Sequence, residues 1–323
     1  MTTLERIRKL VANELASVDA RISQSLVNRS ALIKQLCEHI ILSGGKRLRP
    51  MLVILGAKAC GYQGNDYINL AAALEFFHTA TLLHDDVVDQ SHMRRGKRTA
   101  NELWGNKASV LVGDFLFTLS FQLMLSVSKV AVLQILADTS NTITEGEVKQ
   151  LQNCHDPETS IENYMQVIRS KTAVLFAAAS KIGAVLADKS VAEIEAMHYY
   201  GMHLGTAFQL IDDALDYSAD SHELGKNIGD DLAEGKPTLP LLHILRTGSD
   251  VQKTLIRQAI QQGDISQLDT IQIAIADTGA VEYTQQQAKS EIDLAITQLQ
   301  AIADSDYKQA LIDLAHFAVE RDH

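Results

Sequence analysis

Four prolines, Pro50, Pro157, Pro237 and Pro240, are all that interrupt 323 residues. Proline breaks helix interiors, so long intervals without it, filled with Ala, Leu, Ile, Gln and Glu, leave helix as the default conformation. Apolar residues recur at helical spacing from the N-terminus to the last segment, and no run of strand alternation separates them. The expectation is an all-α chain, and a hydrophobic fraction of 46% suffices for a full-sized core. Breaks fall at Gly44-Gly45 and at 61–66, 90–100, 153–160 and 218–237. No shift in composition marks a boundary, so residues 1–323 are expected to form a single domain. The 218–237 stretch, SADSHELGKNIGDDLAEGKP, is polar and too long for a mere connector, which makes it a candidate functional loop. Residues 248–323 read as short amphipathic helices with ordinary charge patterning.

The charge balance, 29 Lys+Arg against 40 Asp+Glu, gives −11 and argues against nonspecific binding to nucleic acid or to an anionic membrane. Cys37, Cys60 and Cys154 are odd in number and lack C-x-x-C spacing, which suggests three free thiols in a reducing compartment. Residues 1–18 mix charges into an amphipathic pattern without a signal-peptide apolar core. The apolar stretch 173–187 is interrupted by Lys181 and falls short of a bilayer span. A soluble, cytoplasmic protein without stable membrane insertion is expected.

Two aspartate clusters dominate the chemistry: Asp85-Asp86-Val87-Val88-Asp89 and Asp212-Asp213-Ala214-Leu215-Asp216, each ending an apolar helical run. Random placement of 24 Asp would give about a tenth of one such pattern. At about 100° per residue the first and fifth positions of each share a helix face, one turn apart. Carboxylates packed so closely repel one another and oppose the helix dipole, so they call for a counter-cation. Hard oxygen ligands suit Mg²⁺, which keeps several waters and shares its remaining positions with substrate phosphates. Cationic clusters accompany them: Lys46, Arg47 and Arg49 beside Gly44-Gly45, then Arg94, Arg95, Lys97 and Arg98 five residues beyond the first Asp cluster. Arginine forks match phosphate oxygens in pairs of hydrogen bonds. Lys226, Asp230, Asp231 and Lys236 follow the second cluster among glycines. Lys171-Thr172 stands before an apolar segment, where a helix N-terminus would add N–H donors to a phosphate site.

With those residues in view, the chain resembles the trans-isoprenyl diphosphate synthases, and within them the bacterial long-chain enzymes that make the ubiquinone side chain. The resemblance spans nearly the whole chain, through GGKRLRP, LLHDDVVDQSHMRRG, GDFLF, Lys171-Thr172, FQLIDDALDY and GKNIGDDLAEGKPTLPLL. It implies an all-α helical bundle of the isoprenoid synthase type with a central substrate tunnel, working as a homodimer. It also implies Mg²⁺ held between the Asp clusters, with Asp85, Asp89 and Asp212 as foremost ligands and Asp86, Asp213 and Asp216 completing the set. Arg94, Lys171, Thr172, Gln209, Lys226 and Lys236 would contact an allylic diphosphate, and Lys46, Arg49, His78 and Arg95 would hold isopentenyl diphosphate. The implied chemistry is ionisation of the allylic C–O bond, attack by the alkene of isopentenyl diphosphate, and loss of a proton to the released diphosphate. Water would capture the cation, which gives the 218–237 loop a lid role. The product is expected to reach the membrane through transient contact.

Helical projection from Asp85 puts His78 near about +20°, Thr81 about −40°, Phe77 about −80° and Ala80 about −140°. In the family the residues four and five before the first Asp set product length, and bulky aromatics there give short products. Here Thr81 and Ala80 are small, so the tunnel is expected to pass them, bordered by Phe77, with a floor at Met124 and Leu136. An eight-unit product from farnesyl diphosphate is the expectation, with shorter- or longer-chain synthases as the alternative. Glu75-x-x-His78 and Glu195-x-x-His198 fit a di-iron bundle, but that reading leaves the Asp and Arg/Lys clusters unexplained. A terpene cyclase would not need the second diphosphate pocket that Lys46, Arg49 and Arg95 imply. A noncatalytic subunit would not need intact Asp and Arg motifs.

Overall fold

A computed structural model describes residues 1–41, 45–94, 96–217 and 229–320. They are helical almost throughout, and the described strands are two short ones, Met93–Arg94 and Lys97–Arg98, paired antiparallel. The 90–100 break thus contains a ribbon rather than plain loop, because Gly96 (φ 71°) supplies the left-handed turn residue that lets four residues fold back on themselves.

The chain groups into two compact units: residues 1–138, 175–201 and 298–314, and residues 139–174, 202–297 and 315–323. The first is built on three apolar helices. Leu48–Ala59 begins just after Arg47, itself left-handed (φ 52°), and carries Pro50 within its first turn, where the missing N–H is harmless. Tyr67–Val88 buries residues on nearly all sides, as a helix apolar all round must. Asn106–Leu125 packs along it: Ser109 Oγ donates to the Leu83 carbonyl at 3.0 Å, and the Phe117 ring lies 5.3 Å from that of Phe77. By length and composition this last helix could cross a membrane, and 44% of its apolar window is buried in the fold.

The second unit has its own core, in which Tyr217, Leu232, Leu241, Ile244, Ile256, Ile260, Ile271 and Ile275 come together. The Ile161–Ile168 helix starts at an N-cap, Ser160, whose hydroxyl accepts from Asn163 N–H. Ser249 and Gln252 form a capping box at the start of Asp250–Gln262. In the C-terminal third the helices are Asp250–Gln262, Leu268–Thr278, Ala280–Gln298 and Asp306–Glu320, the third longer than charge patterning suggested.

Candidate active site

In the first unit, the Tyr67–Val88 helix carries His78, Thr81 and Asp85, and Asp89 caps its end with its N–H bonded to the Asp85 carbonyl at 2.8 Å. Asp85 and Asp89 stay partly exposed on one face, while Asp86 turns inward and is 1% exposed. There Arg94 from the ribbon meets it, with Nε at 2.9 Å and Nη2 at 2.8 Å from Oδ1. Burial raises the Asp86 pKa more than Arg94 lowers it. The middle carboxylate is therefore compensated by an arginine of the protein itself.

The glycine-flanked cations divide in the same way. Arg47 pairs with Glu75 and donates to the Ile41 carbonyl at 3.2 Å. That ion pair commits the glutamate of the first E-x-x-H motif, which removes the geometric basis for a di-iron site there. Lys46 and Arg49 remain partly exposed. The Arg49 guanidinium lies over the Phe176 ring at 4.5 Å, and Arg8 holds the Lys46 carbonyl at 3.1 Å.

Of the residues expected to set product length, Phe77, Ala80, Met124 and Leu136 are fully buried, and Thr81 is partly exposed. Phe117 and Phe121, ring centroids 5.2 Å apart, extend the Phe77 contact toward Met124. Residues 117, 121 and 124 share one helix stripe at i, i+4 and i+7, a spacing legible in the sequence that went unread.

In the second unit, Lys171, Thr172, Gln209, Asp213, Asp231 and Lys236 line one pocket. The Ile161–Ile168 helix does not stop before Lys171. It passes through a π-turn, Arg169–Ala173, into Val174–Leu186, so no helix N-terminus stands at Lys171-Thr172 and the expected dipole contribution is withdrawn. The widened turn presents the two side chains instead, and π-turns of this kind are frequent at functional sites. Gly146 makes room for it: a Cβ there would stand 2.8 Å from Ser170 Cβ and 3.0 Å from Lys171 N. The neighbouring Glu147 holds Lys171 Nζ at 2.8 Å.

Thr172 Oγ1 donates to Gln209 Oε1 at 3.0 Å, Gln209 Nε2 donates to Asp213 Oδ1 at 2.8 Å, and Tyr164 Oη donates to Asp213 Oδ2 at 2.5 Å. Burial, reinforced by nearby Asp231, raises the Asp213 pKa, and burial likewise raises that of Tyr164. Asp216 is also buried, its Oδ2 accepting from Asp231 N–H at 3.4 Å. Of the second cluster's aspartates only Asp212 is partly exposed, so the first-and-fifth symmetry of the repeat holds at Asp85 and Asp89 but not at Asp216. Asp86, Asp213 and Asp216, expected to complete the ligand set, are buried, and Asp86 and Asp213 meet protein donors there. Lys236 pairs with Glu234. Arg95, Lys226 and the 218–228 part of the candidate lid lie outside the described residues. Tyr164, Gly146 and Glu147 carried no motif signal, because their roles depend on partners 24 to 49 residues away or on space alone.

Among the described residues no three His, Cys, Asp or Glu side chains gather closely enough to enclose a metal ion.

The polyprenyl synthetase family profile matches residues 30–277. The chain is 52% identical over 320 residues to octaprenyl diphosphate synthase of Escherichia coli (strain K12), covering 99% of each. It is 47% identical over 324 residues to the Haemophilus influenzae enzyme of the same name, covering 100% of this chain and 98% of that one. A crystal structure of polyprenyl synthase from Caulobacter crescentus CB15, complexed with calcium and isoprenyl diphosphate, superposes with a TM-score of 0.94 at 44% identity, covering 99% of this chain and 98% of that one.

Proposed function

The chain belongs to the polyprenyl synthetase family and is a prenyltransferase, and from that premise we propose that it extends farnesyl diphosphate with successive isopentenyl diphosphates to octaprenyl diphosphate, for a quinone side chain. The observation that carries this reading is the division within each aspartate cluster. Asp86 and Asp213 are buried, against Arg94 and against Tyr164 and Gln209, while Asp85, Asp89 and Asp212 are partly exposed. We assign those three as the Mg²⁺ ligands.

Mg²⁺, when bound, supplies the charge neutralisation that lets an allylic diphosphate leave. Arg94, Lys171 and Lys236 add fixed positive charge on the allylic side, with Lys226 in the same role by family pattern. Thr172 and Gln209, locked by Asp213 and Tyr164, direct polar groups at the same ligand. Such groups accelerate ionisation because they are already oriented when negative charge develops on the leaving group. Lys46, Arg49, His78 and Arg95 are assigned to isopentenyl diphosphate, whose alkene attacks the cation. The proton lost afterwards passes to the released diphosphate, so no protein general base is required. Small Ala80 and Thr81 support the long-chain product, and the octaprenyl diphosphate synthases to which the chain is similar support eight units. The enzyme is further assigned as a cytoplasmic homodimer that touches the membrane only to release product.

Metal removal tests the ligand assignment. Chelation of divalent ions should abolish incorporation of labelled isopentenyl diphosphate, and added Mg²⁺ should restore it, with the helical circular dichroism unchanged throughout. Undiminished incorporation in excess chelator would refute the assignment.

A further inference from the structure

Glu291 lies on the Ala280–Gln298 helix, in a region where charge patterning alone carries no functional signal. Its side chain is 10% exposed, and both carboxylate oxygens are engaged. Oε1 accepts from Arg169 Nη2 at 3.1 Å, and Oε2 lies 2.5 Å from His203 Nδ1. Burial pushes the Glu291 pKa up, but the hydrogen bonds and charges of His203 and Arg169 outweigh it and hold the group below its ordinary range.

What distinguishes this cluster from an ordinary core ion pair is where its partners sit. Arg169 is the first residue of the Arg169–Ala173 π-turn, two positions before Lys171 and three before Thr172. His203 lies six residues before Gln209 on the Val191–Leu215 helix. One carboxylate therefore ties together three segments, two of which carry pocket-lining groups. A π-turn is a less regular way to run a helix than an α-turn and needs outside support. Gly146 admits the turn and Glu147 holds Lys171, but the described contacts of Arg169, at the turn's entry, run to Glu291. The Arg169 side chain is 47% exposed, so filling the core is not its task.

We propose that Glu291 is a positioning residue for the allylic-diphosphate pocket: through Arg169 it sets the turn that presents Lys171 and Thr172, and through His203 it sets the helix that presents Gln209. The inference rests on the reading of that pocket as the allylic diphosphate site. Neither Glu291 nor Arg169 touches substrate in this account. Their effect is on geometry, and a small misplacement of binding groups costs binding and rate together.

Steady-state incorporation of labelled isopentenyl diphosphate, varying farnesyl diphosphate and isopentenyl diphosphate separately, tests the proposal in Glu291→Gln, Arg169→Gln, the two combined, and Arg169→Lys. Each Gln variant should raise KM for farnesyl diphosphate about ten- to a hundredfold, leave KM for isopentenyl diphosphate within about twofold, and keep the helical circular dichroism. The combined variant should be no worse than Glu291→Gln alone, since Arg169 acts through the contact to Glu291 that this single change already weakens. Arg169→Lys, which keeps the charge, should recover most of the loss. If Glu291→Gln fails to fold, the two Arg169 variants decide the matter alone. Folded variants with an unchanged KM for farnesyl diphosphate would overturn the proposal, as would a parallel rise in both KM values. Wild-type protein that incorporates no isopentenyl diphosphate would overturn the pocket's reading itself, a failure separable from these.

Discussion

Asp85→Ala should lower kcat by at least about a thousandfold while leaving the melting temperature close to that of the wild type. The two halves of that expectation have different causes. Asp85 is a partly exposed carboxylate on the last turns of the Tyr67–Val88 helix, so its removal costs the fold little. It takes away a ligand for the ion that the leaving diphosphate requires, and nothing else on that helix face except Asp89 replaces it. The neighbouring Asp86→Ala should behave in the opposite sense. Asp86 is buried against Arg94, and removing one partner strands the other, at a cost of about 1–3 kcal/mol in stability. Single-turnover kinetics and thermal melts on the two variants separate these effects. Equal activity loss with equal destabilisation would mean that the cluster has no division of labour.

Ala80→Tyr should collapse the product to fifteen or twenty carbons. Ala80 is fully buried, five residues before Asp85. A phenol ring placed in a close-packed core costs about 1–3 kcal/mol through displaced neighbours. If a tunnel passes this level, the ring occupies space that the growing chain otherwise fills, so the fold loses little and elongation stops early. The variant therefore discriminates between a tunnel wall and a packed core: a stable protein with short products shows the former. A destabilised protein with an unchanged product distribution would show that the chain runs elsewhere, for example along the Phe117, Phe121 and Met124 stripe.

The helical class was legible because four prolines leave little else possible, and the two accessible carboxylates of the first cluster were legible because a 3.6-residue period puts Asp85 and Asp89 on one face. The same period sets Asp86 on another face, yet its partner Arg94 could not be read, since a two-stranded ribbon brings it there. Several turns escaped for a related reason. Ser128 and Asp188 adopt left-handed backbone (φ 56° and 50°) without being glycine, so the usual punctuation was missing at 126–129 and 187–190. At Lys171-Thr172 the residue types pointed to phosphate binding, but the mechanism inferred from them, a helix N-terminus, was wrong. No local pattern marks a π-turn, which depends on Gly146 across the way. Tyr164, Glu147 and Glu291 were illegible for the same cause: each acts through a partner distant in sequence.

The central claim, repeated condensation to a long chain, is tested most directly by one assay. Purified wild-type protein is supplied with Mg²⁺, farnesyl diphosphate and labelled isopentenyl diphosphate, and the dephosphorylated products are resolved by length. A dominant eight-unit, forty-carbon alcohol is the expected product. A dominant fifteen- or twenty-carbon alcohol, or a cyclised hydrocarbon, would contradict it.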